Sequence, residues 1–272
     1  MSAFAIGGEH RVRRMGFGAM HLSRAETGRD DAVAVLRKAV ELGVVLVDTA
    51  HLYGWGANEE LIAEALHPYP EGLLIATKVG VRRVDAPREA ELCGRPEFLR
   101  AQVDEGLRGL RLDRVDLLQL HRVDPEVPLE EQVGALAELR DAGKIGHIEL
   151  SEVTVEQLAR ARRVTEIASV QNRYNLLDRE HDPVLDACAA AGIAFLPWRP
   201  VHPATAASDG AVAAVAAELG ATRAQVALAW LLDRAPVVLP IPGTTALRHL
   251  AENVAATTLR LDADQRHRLS RG

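Results

Sequence analysis

Short apolar runs alternate with longer amphipathic segments along nearly the whole chain, and this rhythm limits the fold more than any other property of the sequence. The apolar runs cover residues 15–17, 44–48, 73–77, 115–120, 147–151, 169–172, 193–197 and 237–240. Helical patterns fall near 30–42, 58–66, 96–109, 129–142, 154–165, 182–191, 222–233 and 246–256. Eight strands, each followed by a helix, is the count of an α/β (β/α)₈ TIM barrel. Residues 4–13 are expected to form a hairpin covering the bottom of the barrel. Short extra helices are expected at 209–219 and 262–270.

Local signals agree with this layout. Pro96 and Pro183 open helices where a missing N–H costs nothing. Gly43, Gly143 and Gly192 each stand between a helix and a strand, as a glycine closing a helix should. No stretch of linker composition divides the chain, so residues 1–272 read as one barrel domain, and 272 residues suffice for one large core. The rival architecture, a doubly wound sheet, needs a tight glycine-rich turn opening a helix after its first strand. Here Gly16 and Gly18 are followed by Ala19-Met20-His21-Leu22, and the next helix begins only near Asp30. The dinucleotide fingerprint and the phosphate loop ending in Gly-Lys-Ser/Thr are both absent.

Composition narrows the class of function. A net charge of -6 argues against a nucleic-acid surface. Cys93 and Cys188 are the only cysteines and lie in unlike contexts, which argues against a disulfide framework. No apolar run reaches about 18 residues and the N-terminus does not resemble a signal peptide. The expectation is a cytoplasmic enzyme without a membrane partner, monomeric or weakly homo-oligomeric.

Lys78 is one of only three lysines, and it follows the apolar run Leu73-Leu74-Ile75-Ala76-Thr77. Asp48 and His121 end neighbouring runs, and Tyr53 lies one short loop beyond Asp48. In a (β/α)₈ barrel the C-terminal strand ends converge on the active-site face. Singly, each residue has a plain alternative: a strand-end Asp caps helices, a Tyr beside Gly anchors loops, and a His satisfies a carbonyl. Together they make chemical sense, because a buried lysine needs a counter-ion and Asp48 would supply it. Lys78 beside the phenol would lower the pKa of Tyr53, and His121 would orient a substrate oxygen. The four supply a proton and stabilise an oxyanion but carry no electrons, so a reduction requires a hydride-bearing cofactor. A metal-dependent hydrolase using His51 and His121 is disfavoured, since no further His or paired carboxylates recur at the strand ends, and no metal is expected.

Asp48-Thr49-Ala50-x-x-Tyr53-Gly54, Ala76-Thr77-Lys78 and Leu118-Gln119-Leu120-His121-Arg122 resemble the catalytic segments of the aldo-keto reductase superfamily. The likeness includes Arg14-Met15-Gly16-Phe17-Gly18-Ala19-Met20, Gln171-Asn172-x-Tyr174-Asn175 and Ile241-Pro242-Gly243-Thr244, and is nearest to the bacterial branch containing pyridoxal reductases. The resemblance implies NADPH-dependent reduction of an aldehyde or ketone, with NADH a possible substitute. Asp48, Tyr53, Lys78 and His121 match the catalytic tetrad, with Tyr53 as general acid. Ser151, Glu152 and Gln171 match positions around the nicotinamide carboxamide and Trp198 its stacking aromatic, while Gly18, Met20 and Asp48 are further expected cofactor contacts. Arg199, Pro200, Ile241, Gly243, Thr244, Arg248, His249, Glu252 and Asn253 match the remainder of the cofactor path, ending at the 2′-phosphate. His51, Leu52 and Trp55 would shape the substrate pocket. Some relatives are non-catalytic nucleotide-binding or regulatory barrels, which is the alternative reading.

Four departures from the family pattern stand out. Glu149 replaces a glycine; period-two alternation puts it on the face of Ser151, inside the barrel, where it should be protonated or paired with Lys78, His147 or water. Capture of Lys78 by Glu149 would weaken the tetrad. Glu152 replaces an asparagine near the carboxamide. His249 and Gly243 replace an arginine and a lysine at the 2′-phosphate, and Arg248 should point elsewhere on a regular helix. Finally, the loops near 80–95 and 198–208 read as short and leave an open pocket.

Overall fold

The computed structural model describes residues 3–23, 28–86, 89–203, 205 and 210–271. The chain begins with β1 (Ala3–Ile6) and β2 (His10–Arg13), an antiparallel hairpin. Parallel strands then follow in chain order: β3 (Phe17–Gly18), β4 (Leu46–Asp48) and β5 (Leu74–Val79). After a small antiparallel hairpin of β6 (Val81–Arg83) and β7 (Ala90–Leu92), β8 (Val115–Leu120), β9 (Ile145–Ser151), β10 (Ser169–Gln171) and β11 (Ala194–Phe195) complete the sheet. Its order is β11-β10-β9-β8-β5-β4-β3, each strand beside the next in the chain. The connecting helices are α1 (Arg29–Glu41), α2 (Ala57–Leu66), α3 (Pro96–Leu110), α4 (Leu129–Asp141), α5 (Val155–Val164) and α6 (Asp182–Ala191). Beyond β11 come α7 (Ala211–Leu219), α8 (Arg223–Arg234), α9 (Leu247–Ala255) and α10 (Ala263–Arg271). Residue 209 of the predicted helix 209–219 lies outside the described residues.

The eighth predicted strand, 237–240, does not form a regular ladder. It nevertheless closes the barrel, because Phe195 N–H donates to Val237 O and Leu239 N–H to Phe195 O on one side. On the other side Gly16 N–H donates to Pro240 O and Gly18 N–H to Pro242 O. Pro240 and Pro242 have no N–H to return, so the segment accepts from the first strand without donating at those positions. The hairpin at β6–β7 corrects the expectation of a plain short loop near 80–95.

Alternation sorts the side chains. Leu46, Leu74, Ala76, Leu117, Leu196, Leu239 and Ile241 form the cluster inside the barrel, closed from below by Ile6 and Val12 of the hairpin. Val47, Ile75, Leu118, Ile148, Leu150 and Val170 face the helices instead. By period two, Asp48, Lys78, Gln119, Glu149, Ser151, Ser169 and Gln171 therefore share the inward face. The floor is tight: a Cβ on Gly7, at φ +59°, would lie 2.3 Å from the His147 ring. That ring meets His10 edge-on at 5.2 Å. Among the described residues, no single helix is long and apolar enough to cross a membrane.

Candidate active site

At the C-terminal end of the sheet, parallel register brings the rare lysine to its counter-ion. Lys78 is almost fully buried on β5, and its Nζ donates to Asp48 Oδ2 at 2.6 Å and to Thr49 O at 2.7 Å. Asp48 Oδ1 accepts from Gln171 Nε2 at 2.8 Å, so both carboxylate oxygens are held. Tyr53 arrives from the loop between β4 and α2. There Gly54, Trp55 and Gly56 all adopt positive φ, reversing the chain within a few residues. Asn58 pins that loop by accepting from Thr49 Oγ1 and donating to Ala19 O. Lys78 Nζ lies 5.3 Å from the Tyr53 ring centre, and the Tyr53 and His121 rings stand edge to face at 6.1 Å. The structure thus brings Asp48, Tyr53, Lys78 and His121 together.

The electrostatics follow from burial and neighbours. Burial opposes the charge on Lys78, but Asp48 and Tyr53 outweigh it and hold the pKa above the ordinary lysine value. Burial is also the largest influence on Tyr53 and raises its pKa, with Lys78 pulling it down and Asp48 pushing it up. Lys78 lowers the Tyr53 pKa as expected, but desolvation and Asp48 prevail, so the net shift is upward and not downward. Tyr53 is a phenol at neutral pH. Burial, Lys78 and Arg122 push His121 well below the usual histidine value, leaving a neutral imidazole.

A cleft of about 960 Å³ runs from this group across the barrel mouth. Gly18, Met20, Asp48, Gln171, Trp198, Arg199 and Pro200 line its near part. Ile241, Gly243, Thr244, Arg248, His249, Glu252 and Asn253 line its far end. Gly18 and Gly243 form the floor, where backbones approach too closely for side chains: a Cβ on Gly243 would sit 2.5 Å from Gly18 O, and one on Gly18 2.7 Å from Ile241 O. The far end meets the N-terminus of α9, whose N-cap is Ala246 and whose first turn has no side-chain cap. Unsatisfied N–H groups there, with Arg248 and His249, suit a phosphate. Arg248 donates to Glu252 at 2.8 Å and lies 3.0 Å from His249 Nε2. It faces the cleft, contrary to expectation, since in the first turn of a helix that abuts the groove neighbouring residues both reach its rim. A floor without side chains, an aromatic wall and an anion-binding end fit a dinucleotide.

Several predicted contacts go elsewhere. Glu152 turns from the cleft: its Oε1 accepts from Trp198 Nε1 at 2.7 Å and from Arg173 N at 2.6 Å. Ser151 is covered by Arg122, whose Nη1 donates to its Oγ at 3.0 Å. His51 is drawn to buried Glu59 at 3.2 Å, which raises its pKa through that hydrogen bond. A carboxylate this buried needs partners, and Thr77 Oγ1 supplies the other at 2.6 Å. Trp55 packs beneath Arg83 at 5.9 Å. Of the three residues predicted for the substrate pocket, Leu52 lines both the cleft and a second, smaller cavity. That cavity, about 250 Å³, is bounded by Leu52, Val81, Leu92, Glu91, His121 and Arg122, and opens beside the larger cleft. Arg122 borders both and was not singled out from the sequence, although it directly follows His121. The paired His51 and His121 of the hydrolase alternative are not brought onto one centre. Among the described residues, the cluster with metal-ligand composition is Glu9, His10 and His147, at the opposite end of the barrel.

Glu149 is fully buried, and neither carboxylate oxygen makes a hydrogen bond of ordinary geometry. Lys78 serves Asp48, and His147 faces the hairpin, so neither is the hydrogen-bond partner expected for Glu149. Burial and the charge of Asp48 push its pKa up to about 8, against a downward pull from Lys78, Gln119 and Ser169.

The family model described as the Aldo/keto reductase family matches residues 14–271. Pyridoxine 4-dehydrogenase of Escherichia coli is 41% identical over 268 residues, covering 94% of this chain and 93% of its own. An oxidoreductase of Schizosaccharomyces pombe is 41% identical over 263 residues, covering 94% of this chain and 85% of its own. A thermostable aldo-keto reductase crystallised with the inhibitor epalrestat superposes with a TM-score of 0.87 at 30% identity, over 100% of this chain and 99% of the other. An aldo-keto reductase from Klebsiella pneumoniae crystallised with NADPH superposes with a TM-score of 0.85 at 25% identity, over 100% and 95% of the two chains.

Proposed function

This chain belongs to the aldo/keto reductase family, and from that premise we propose that it is an NADPH-dependent reductase of small aldehydes or ketones, with Tyr53 as proton donor. The observation that carries the reading is the hydrogen-bonded line from Gln171 through Asp48 to Lys78, with Lys78 against the Tyr53 ring at the mouth of a dinucleotide-sized cleft. The bound nicotinamide would supply the hydride. Gly18, Gly243 and Trp198 would form its bed, and the α9 N-terminus with Arg248 and His249 would hold its 2′-phosphate.

The chain's own residues account for the rest of the reaction. Neutral His121 can donate a hydrogen bond to the carbonyl oxygen without competing for its proton. Tyr53, a phenol at neutral pH, delivers its proton as negative charge develops on that oxygen. The ammonium of Lys78 stabilises the phenolate left behind, while Asp48 keeps the ammonium charged and fixed. Leu52, Val81 and Leu92 offer an apolar wall beside His121 for the body of the substrate.

Pyridoxal belongs in the first substrate panel because of the Escherichia coli relative. Consumption of NADPH should match alcohol formed one to one with at least one aldehyde of the panel. NADPH should be used at least tenfold more efficiently than NADH, as kcat/KM. Failure of both nucleotides to bind would remove the reading. Tight binding without turnover on any carbonyl would favour a regulatory nucleotide-binding barrel.

A further inference from the structure

Lys78, Gln119, Glu149 and Ser169 stand in register across four adjacent strands, β5, β8, β9 and β10. All four side chains face the barrel interior. Gln119, Glu149 and Ser169 have no solvent exposure, and Gln119 and Ser169 act on the Glu149 carboxyl as hydrogen-bonding neighbours, although none of the three side chains reaches a partner in ordinary hydrogen-bond geometry. Native interiors rarely leave buried polar atoms without well-formed hydrogen bonds, and here the atoms that lack them are one another's neighbours. They flank the carboxyl of Glu149, in the same row as the lysine of the tetrad.

The charged and titratable groups around Glu149 are few. Asp48 on β4 and Lys78 on β5 are the two whose charges act on it. Tyr53 lies beyond Lys78, His121 ends β8, and Arg122 sits above Ser151 on Glu149's own strand. His147, lower on that strand, is turned to His10 and Glu9. From β10 come only uncharged Ser169 and Gln171, and beyond it the interior is apolar, with Ala194, Leu196 and Leu239. Among the described residues no cation besides Lys78 acts on the carboxyl, and Lys78 is already bonded to Asp48.

We propose that Glu149 is a positioning residue that works as an internal charge switch of the tetrad: neutral while Tyr53 donates its proton, and, once ionised, holding that proton on Tyr53 through its charge beside Lys78. The inference rests on the reading of Tyr53 as proton donor. Two like charges, Asp48 and Glu149, then share one lysine. When both are ionised, the phenolate of Tyr53 becomes a third anion around the same ammonium and is disfavoured. The shift of Glu149 to about 8 places this change just above neutrality, within reach of an alkaline assay. Reduction, which consumes the phenol, gains an extended alkaline range. Oxidation of the alcohol, which needs the phenolate as base, is held back in the same range.

The test is the pH dependence of kcat/KM in both directions for the wild type and Glu149→Gln. With the charge removed, the alkaline limb of reduction should move down by about one pH unit. At pH 9.5 the ratio of variant to wild-type activity should therefore rise for oxidation by up to about tenfold relative to the ratio at pH 7, whereas for reduction the ratio should fall only where the pH reaches the alkaline limb itself. A change of activity by the same factor at every pH, or limbs that superimpose, would overturn the proposal and leave a purely structural residue. Glu149→Gly carries the same test if the amide prevents folding. Infrared spectroscopy of the wild type reads the switch without a variant's activity: a protonated-carboxyl carbonyl band should be present at pH 7 and lost by pH 9.5. Absence of the band at pH 7 would equally overturn it. Persistent turnover in Tyr53→Phe would mark failure of the underlying reading instead.

Discussion

Glu152 shows how one residue can be placed by sequence and misread in its contacts. Its position after Ser151 was legible, but not the backbone at φ +55°, which turns its side chain away from the cleft. Such a conformation is costly outside glycine, and two short hydrogen bonds, from Trp198 and Arg173, maintain it. This carboxylate holds the Trp198 indole of the aromatic wall. Charge-assisted hydrogen bonds of this type contribute roughly 1.5–3 kcal/mol. Glu152→Ala should therefore raise KM for the cofactor by about tenfold with a smaller change in kcat, while Glu152→Gln, which keeps an acceptor, should retain most of the affinity. Equal KM values in wild type and Glu152→Ala would show that Trp198 needs no anchor. His51 was misread for a related reason: nothing in the sequence announces that Glu59 is buried and draws the imidazole to itself. Asp48 and Lys78, by contrast, were readable because a strand-end lysine in an apolar run has few ways to keep its charge.

The elements were legible wherever periodicity and capping spoke together. Thr154 and Thr222 each form a full capping box, and α5 and α8 begin where the pattern placed them. The closing strand was harder, since its run is real but Pro240 and Pro242 deny it a ladder. Side-chain bonds compensate. Arg14, at the entry to β3, donates to Val238 O at 3.0 Å, to Ala235 O at 2.7 Å and to Leu232 O. It ties the end of α8 to the closing segment and places a cation at the negative end of that helix. Burial lowers its pKa, with Asp233 opposing. Arg14→Met would strand these carbonyls and should destabilise the protein by about 2 kcal/mol in urea denaturation. A loss under about 0.5 kcal/mol would mean that the strand needs no such brace. The β6–β7 hairpin escaped the sequence reading because its strands are three residues each and carry charge on both sides of the turn.

At the scale of the molecule, the barrel explains why the site takes the form it does. Parallel strands deliver Asp48, Lys78 and His121 from chain positions far apart to one rim, and the hairpin seals the other end. The same geometry creates the interior row that holds Lys78 and Glu149 on either side of Gln119, and the proposed charge switch rests on that row. The proposed cofactor end rests on a global feature too, since α9 starts at the groove without a side-chain cap and leaves its first N–H groups available. All of this supports the proposed role of Tyr53 as the group that yields the proton. Tyr53→Phe removes one oxygen from a ring that stays packed against His121 and Lys78. The account predicts a fall in kcat for aldehyde reduction of at least about a hundredfold, with the dissociation constant for NADPH within about twofold of wild type. Turnover within tenfold of wild type in that variant would contradict it.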